Sequence, residues 1–244
     1  METFYTDSPQ VQQIIQGLNL TRTLFVSSIV IGEPHIGKKT LVTHLFPDIP
    51  VVSGENQDKV EATLEHSDEL IITNFEKLSN KENLVFDNKR IIATADYIGN
   101  QKTIDSLFAF IYMMPTYKER PEDLKHLKTR FLEEAAATLM LDASSYTLSQ
   151  LPTDLTQNSK SLKRAIYHYL MSRNMSKKEI EETLYTYFIE HLEGNNGYKE
   201  YVGMYERPLI KAGLEKYGSQ LKLSEILGIN RNTLRKKIHE HGID

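Results

Sequence analysis

Residues 24–42 read LFVSSIVIGEPHIGKKTLV, and the order of apolar run, glycine-bounded loop and amphipathic segment decides how the chain around them folds. Leu24 to Ile31 is an apolar, β-branched run ending at Gly32, the pattern of a buried strand. Thr40-Leu41-Val42 through Leu45-Phe46 reads as a helix that Pro47 stops. Between them, Gly32-Glu33-Pro34-His35-Ile36-Gly37-Lys38-Lys39 has G-x-x-x-x-G-K spacing. In that context backbone N–H groups and a helix N-terminus face an anion, and the lysine reaches its phosphates. Gly32, Gly37, Lys38, Lys39 and Thr40 are therefore candidate nucleotide-binding residues, with ATP or ADP as the ligand. A loop kept only as scaffold is the other reading, because Lys39 stands where such loops place a magnesium-binding hydroxyl, although Thr40 is adjacent.

Working outward, Leu70-Ile71-Ile72 and Arg90-Ile91-Ile92-Ala93 are two further buried-strand candidates, and Phe108 to Met114 is another, closed by Pro115. Strands separated by helical stretches imply a parallel sheet with helices on its faces. From Pro121 the strands stop. PEDLKHLKTRFLEEAAATL opens with proline and two acids, which suits a helix N-terminus, and Leu124, Leu127, Phe131 and Leu132 share one face. Asn158 to Met171 is a second helix and Ser176 to Leu192 a third. In the third, Ser176 and Glu179 have capping-box spacing, and Ile180, Leu184, Tyr187, Phe188 and Leu192 form an apolar stripe. Gly194-Asn195-Asn196-Gly197 is the clearest linker. The expected organisation is an α/β core over residues 1–120, a helical lid over 121–173, a linker helix and linker over 174–199, and an all-α domain over 200–244.

Composition bounds the function. The chain has 244 residues, enough for a core with small appendages, and its 40% hydrophobic and 25% charged content is ordinary for a soluble protein. No apolar run approaches the ~20 residues that span a bilayer. The start, METFYTDSPQ, lacks the basic and apolar regions of a signal peptide, so a cytoplasmic location is expected, away from membranes. There are no cysteines, and the eight histidines show no ligand spacing, so neither disulfides nor a metal are expected. Net charge is −4, yet Arg207 to Asp244 holds eight Lys/Arg against four Asp/Glu. An acidic body thus carries a basic module, whose local field is what a phosphate backbone feels.

In that module Leu209, Ile210 and Leu214 make an amphipathic helix ending at Tyr217-Gly218. Leu221, Leu223, Ile226 and Leu227 give the apolar face of a second short helix, with Ser224 small where helices should cross. Gly228-Ile229 turns the chain, and Asn230 can cap a third helix, Arg231-Asn232-Thr233-Leu234-Arg235-Lys236-Lys237-Ile238. Leu234 should face inward and Arg231, Arg235 and Lys236 outward, a helix suited to the major groove with Thr233 and the basic flank on phosphate. A solvated basic helix in an ordinary three-helix bundle is the bland alternative.

GINRNTLRKKI, residues 228–238, resembles the recognition helix of the nucleoid protein Fis and of sigma-54-dependent activators of the NtrC type, and Pro208 to Gly242 follows their layout. The resemblance implies double-stranded DNA as partner, with Asn230 and Arg231 approaching bases and Thr233, Arg235, Lys236 and Lys237 lying along the backbone. Leu223-Ser224 stands where the family usually has two alanines, and Leu221 replaces a polar residue that often meets DNA. Asp7-Ser8-Pro9, IVIGEPHIGKKTLV, KRIIATADYI and LFAFIYMMPTYKERPEDLKHLKTRFL resemble the AAA+ domain of the same activators, and a receiver domain ahead of Met1 is not expected.

Set against that family, the residues expected to hydrolyse ATP are missing. The Walker B strand should end in two acids, and Thr73 and Asn74 stand there. The arginine finger falls near Phe110, the lid's sensor arginine on Lys160, and His35 replaces a glycine of the loop. The stretch from Lys39 to Leu70 leaves no room for the GAFTGA loop that grips the sigma factor. The reading expected is a sequence-specific transcription regulator, not an enzyme, on a degenerate AAA+ body. A homodimer is expected, since one short recognition helix reads few bases and two half-sites are usual. An ATP-driven sigma-54 activator and an interaction module that modulates related activators are the alternatives.

Overall fold

The computed structural model describes residues 3–243, so Met1, where the family layout would be preceded, and Asp244, in the charge count, lie outside it. It divides into two compact units, Met1–Asn174 and Met175–Asp244.

The first unit opens with α1 (Pro9–Leu24), followed by β1 (Ser28–Ile31), α2 (Lys38–Leu45), β2 (Val51–Ser53), α3 (Gln57–His66) and β3 (Glu69–Thr73). β4 (Arg90–Ala95), α4 (Gln101–Leu107) and β5 (Phe110–Met113) complete a five-stranded sheet of order β2-β3-β4-β1-β5 with every pairing parallel. Alternate residues serve opposite faces, as the pleat requires. Ile29, Ile31, Leu70, Ile72, Ile91 and Ala93 pack with α3 and α4 residues such as Val60, Leu64 and Ile104. Val30, Ile71 and Ile92 pack with Val11, Ile14 and Leu18 of α1 and Leu41 and Val42 of α2. Both faces are covered, which is why the strands read as continuous apolar runs.

The strand expected from Leu24 is shorter than its apolar run. Leu24 ends α1, Phe25 takes a left-handed conformation (φ 52°) as its C-cap, and pairing starts only at Ser28. Val11, Ile14, Leu18 and Thr21 recur at helical spacing on the buried side of α1, and α1, β2, α3 and α4 add to the elements expected from the apolar runs. α2 starts at Lys38, two residues earlier than expected, directly after the loop.

The helical part of this unit is α5 (Leu124–Thr138) and α6 (Asn158–Asn174). Leu127, Phe131, Leu132 and Ala135 of α5 meet Leu162, Ile166 and Leu170 of α6. Arg120, fully buried just before α5, donates to Asp123 at 3.0 Å and to the Ile36 carbonyl, and so ties the helical part to the glycine loop.

The second unit holds α7 (Lys177–His191), α8 (Gly197–Tyr217), α9 (Gln220–Leu227) and α10 (Arg231–Glu240). The capping box of α7 forms as read: Glu179 N–H donates to Ser176 Oγ at 3.2 Å and Ser176 N–H to Glu179 Oε2 at 2.7 Å. α8 is far longer than the helix expected around Leu209. It begins at Gly197, inside the predicted linker, and runs through Pro208, which is exposed and withdraws one backbone N–H. Ile210, Leu223 and Leu234 are buried at the meeting of α8, α9 and α10. None of the described helices is long and apolar enough to cross a membrane.

Candidate nucleic-acid interface and phosphate cradle

α9 and α10 are joined by a turn whose chemistry is local. Gly218 and Gly228 end α8 and α9 in the left-handed region (φ 63° and 66°), where a side chain would be strained. Ser219 Oγ caps α9 by accepting from Lys222 N–H, and Asn230 Oδ1 caps α10 by accepting from Asn232 N–H at 2.8 Å. Ser224 is buried and Gly213 of α8 faces Leu223, whose methyl would lie 2.3 Å from an added Cβ, so small residues set the approach of α8 and α9.

With Leu234 fully buried, the opposite side of α10 is displayed. Asn230, Arg231, Thr233, Arg235 and Lys236 are all exposed, a ridge of two guanidinium groups, one ammonium and two small polar side chains. Lys236 pairs loosely with Glu240 one turn on, at 3.7 Å, an exposed contact of little weight. Lys237 is placed differently. Its ammonium donates to Glu206 Oε1 of α8, while His241 Nε2 lies 3.0 Å from Glu206 Oε2. The two partners hold the Glu206 carboxyl below the usual range, Lys237 first and His241 second. Sequence reasoning placed Lys237 along a DNA backbone and passed over Glu206 and His241, whose 31- and 35-residue separations from their partner leave no periodic mark.

In the other unit the glycine loop has the expected form. Gly37 is left-handed (φ 92°) and caps α2, and Lys38 begins that helix. His35 is also left-handed (φ 62°), a strained place for a side chain that costs about 1–3 kcal/mol. The strain is held by neighbours: Ser159 N–H and Oγ both donate to the His35 carbonyl, at 3.1 and 2.7 Å. Asn158 Nδ2 donates to Glu33 Oε2 at 2.9 Å and to the Pro34 carbonyl at 3.2 Å. The cleft beside the loop has a volume of about 500 Å³ and is lined in part by Phe4, Tyr5, Lys38, Lys39, Thr40 and Asn74.

A nucleotide is the group this loop type implies, and the residues present do not fit its magnesium complex. Lys38 is buried, and its ammonium donates to the Gly32 carbonyl at 2.6 Å, the Glu33 carbonyl at 2.6 Å and Asp96 Oδ1 at 2.9 Å. An ammonium has three N–H donors, so none is left for phosphate. Burial pushes this lysine below its usual range, against the pull of Asp96, Glu76 and Glu33. Thr73 is buried at the end of β3, and Asn74 (φ 53°) follows it without a charge. Phe110 lies on β5 stacked beside Tyr112, and Lys160 is exposed on α6. Asp96 and Glu76 meet Lys38 only through the fold, and no local spacing in the sequence marks either of them as its partner.

Residues 195–244 match the family described as a helix-turn-helix domain. A Fis-like DNA-binding protein of Ralstonia nicotianae is 40% identical over 77 residues, which are 30% of this chain and 99% of that protein. The DNA-binding transcriptional regulator NtrC of Azospirillum brasilense is 45% identical over 65 residues, 25% of this chain but only 14% of the regulator. Among solved structures, NtrX of Brucella abortus superposes with a TM-score of 0.56 over 98% of this chain and 69% of its own, at 12% identity. That identity speaks for the fold alone: a parallel-sheet, P-loop AAA+-like core with a helical lid, followed by a helix-turn-helix.

Proposed function

Because residues 195–244 belong with the Fis-like helix-turn-helix proteins, we propose that the chain is a cytoplasmic, sequence-specific transcription regulator of the NtrC type that binds double-stranded DNA through α10. One observation carries the reading: Arg231, Arg235 and Lys236 lie exposed on one helix that Leu234 anchors and Asn230 caps. Such a helix presents its N-terminal residues to base edges and its basic flank to phosphates. The AAA+-type body has lost ATP hydrolysis and sigma-54 contact. Supporting this, Thr73 and Asn74 supply no carboxylate where a metal ligand and a water-orienting group are needed. The stretch between α2 and β3 is filled by β2 and the unbroken ten-residue α3.

The regulator works as a homodimer. Ile180, Tyr187 and Leu192 of the predicted α7 stripe are 47%, 39% and 61% exposed, too much apolar surface for a helix that packs only within its own unit. A related activator using the same face is the second reading, and co-sedimentation with a second copy against such an activator separates them.

Fluorescence anisotropy of the full chain on labelled duplexes tests DNA binding. Arg231→Ala should cost about 1–3 kcal/mol on a cognate site and relax its preference. Lys236→Ala should weaken all duplexes alike and reduce the salt slope by about 0.9. Unchanged binding by both variants overturns the assignment.

A further inference from the structure

The phosphate cradle carries an anion of its own. Parallel pairing of β1 with β4 sets Ile31 against Ala95, and Gly32 N–H donates to the Ala95 carbonyl at 3.2 Å. The next residue, Asp96, is thereby delivered to the mouth of the loop by the register of the sheet. Its Oδ1 accepts from Lys38 at 2.9 Å, and its backbone N–H donates to Glu76 Oε2 at 3.1 Å, which fixes both carboxylates beside the same lysine. Asn158, Ser159 and Arg120 hold Pro34, His35 and Ile36 by their carbonyls from the other side. The loop is thus closed on residues of its own unit.

We propose that Asp96 is a built-in occupant of the phosphate cradle: its carboxylate takes the lysine that a phosphate would need, so the unmodified chain keeps its loop formed without nucleotide. Three features support this. The Lys38 ammonium spends all three donors within the protein, and the third goes to a charged acceptor, the strongest kind of partner. Asp96 is two-thirds buried, so its attraction for Lys38 and its repulsion of an entering polyanion are only partly screened. Glu76 and Glu33 add carboxylates near the same lysine, and a triphosphate would have to pass them without a magnesium ligand at position 73 or 74. This goes beyond the loss of hydrolysis, which rests on Thr73 and Asn74; here ground-state binding itself is closed by a residue that can be changed. It is also independent of DNA binding, which lies in the other unit.

Replacing one atom tests it. Asp96→Asn keeps the shape and removes the charge, so in equilibrium titrations of the full chain with ribose-labelled ATP and magnesium it should bind about tenfold tighter or more than the unmodified chain. Adding Lys38→Ala to Asp96→Asn should abolish the gain. The melting temperature of the unmodified chain should not rise with ATP. The proposal is overturned if the unmodified chain binds as tightly as Asp96→Asn, if ATP raises its melting temperature, or if a folded Asp96→Asn gains no affinity. Should Asp96→Asn fail to fold, Asp96→Ala takes its place, and equal affinity of that variant and the unmodified chain overturns the proposal.

Discussion

Glu206→Gln separates two roles that the recognition helix combines, stability and charge. Glu206 of α8 holds Lys237 and His241, at the end of α10, with one carboxylate oxygen each. Glutamine keeps the size and one acceptor oxygen but removes the charge. Hydrogen bonds to charged groups are worth about 1.5–3 kcal/mol each. Here the three side chains retain 20%, 29% and 16% of their surface in water, so screening reduces the loss to about 1 kcal/mol for the pair of bonds. In a unit this small that lowers the melting temperature by about 4–8 °C. Binding moves the other way. Lys237, released from its partner, becomes available to a phosphate, and the dependence of log affinity on log salt should steepen by about 0.9. The sign of the pH effect follows from the depressed carboxyl of Glu206. A depressed carboxyl stabilises the fold above its ordinary range and loses that contribution as pH falls through the lowered value, so the unmodified chain should lose its advantage over Glu206→Gln in acid, below the ordinary carboxylate range. Thermal melts followed by circular dichroism and anisotropy titrations at several salt concentrations provide the readouts, with the exposed Glu215→Gln on the same helix as control. An unchanged melting temperature together with an unchanged salt slope would refute the tie between α8 and α10.

Leu234→Ala removes the only fully buried side chain of α10 from a cluster whose other buried members are Ile210 and Leu223, and should cost about 2–5 kcal/mol; helical circular dichroism and DNA binding should be lost together. Purified chain should release no phosphate from ATP above background in a steady-state assay, with or without DNA, and Thr73→Asp with Asn74→Glu should not restore turnover, because Phe110 still stands where a charge-stabilising arginine belongs. Robust turnover that Lys38→Ala abolishes would make the ATP-driven activator the better reading. Ile180→Asp, on the exposed stripe of α7, should raise the concentration needed for self-association by about tenfold or more in sedimentation, since a buried unpaired charge is costly; unchanged association places the dimer contact elsewhere.

Features with a local cause were legible from residues alone. β3, β4 and β5 stand where apolar runs placed them, the Ser176 capping box forms, and Gly218, Gly228 and Asn230 end and cap the helices where their backbone and side-chain chemistry required. Each depends on neighbours within a few positions, so spacing carries the information. α1 also had its mark, in Val11, Ile14, Leu18 and Thr21, but the apolar run beyond it drew the strand boundary too early. Only the folded chain decided the rest. Asp96 reaches Lys38 across 58 residues because parallel register sets β4 beside β1. Glu206 meets Lys237 across 31 residues because Gly213 and Ser224 let α9 sit close enough to bring α10 against α8. Contacts of that kind arise from packing between elements, and no periodicity along a single chain encodes which acid will neutralise which base.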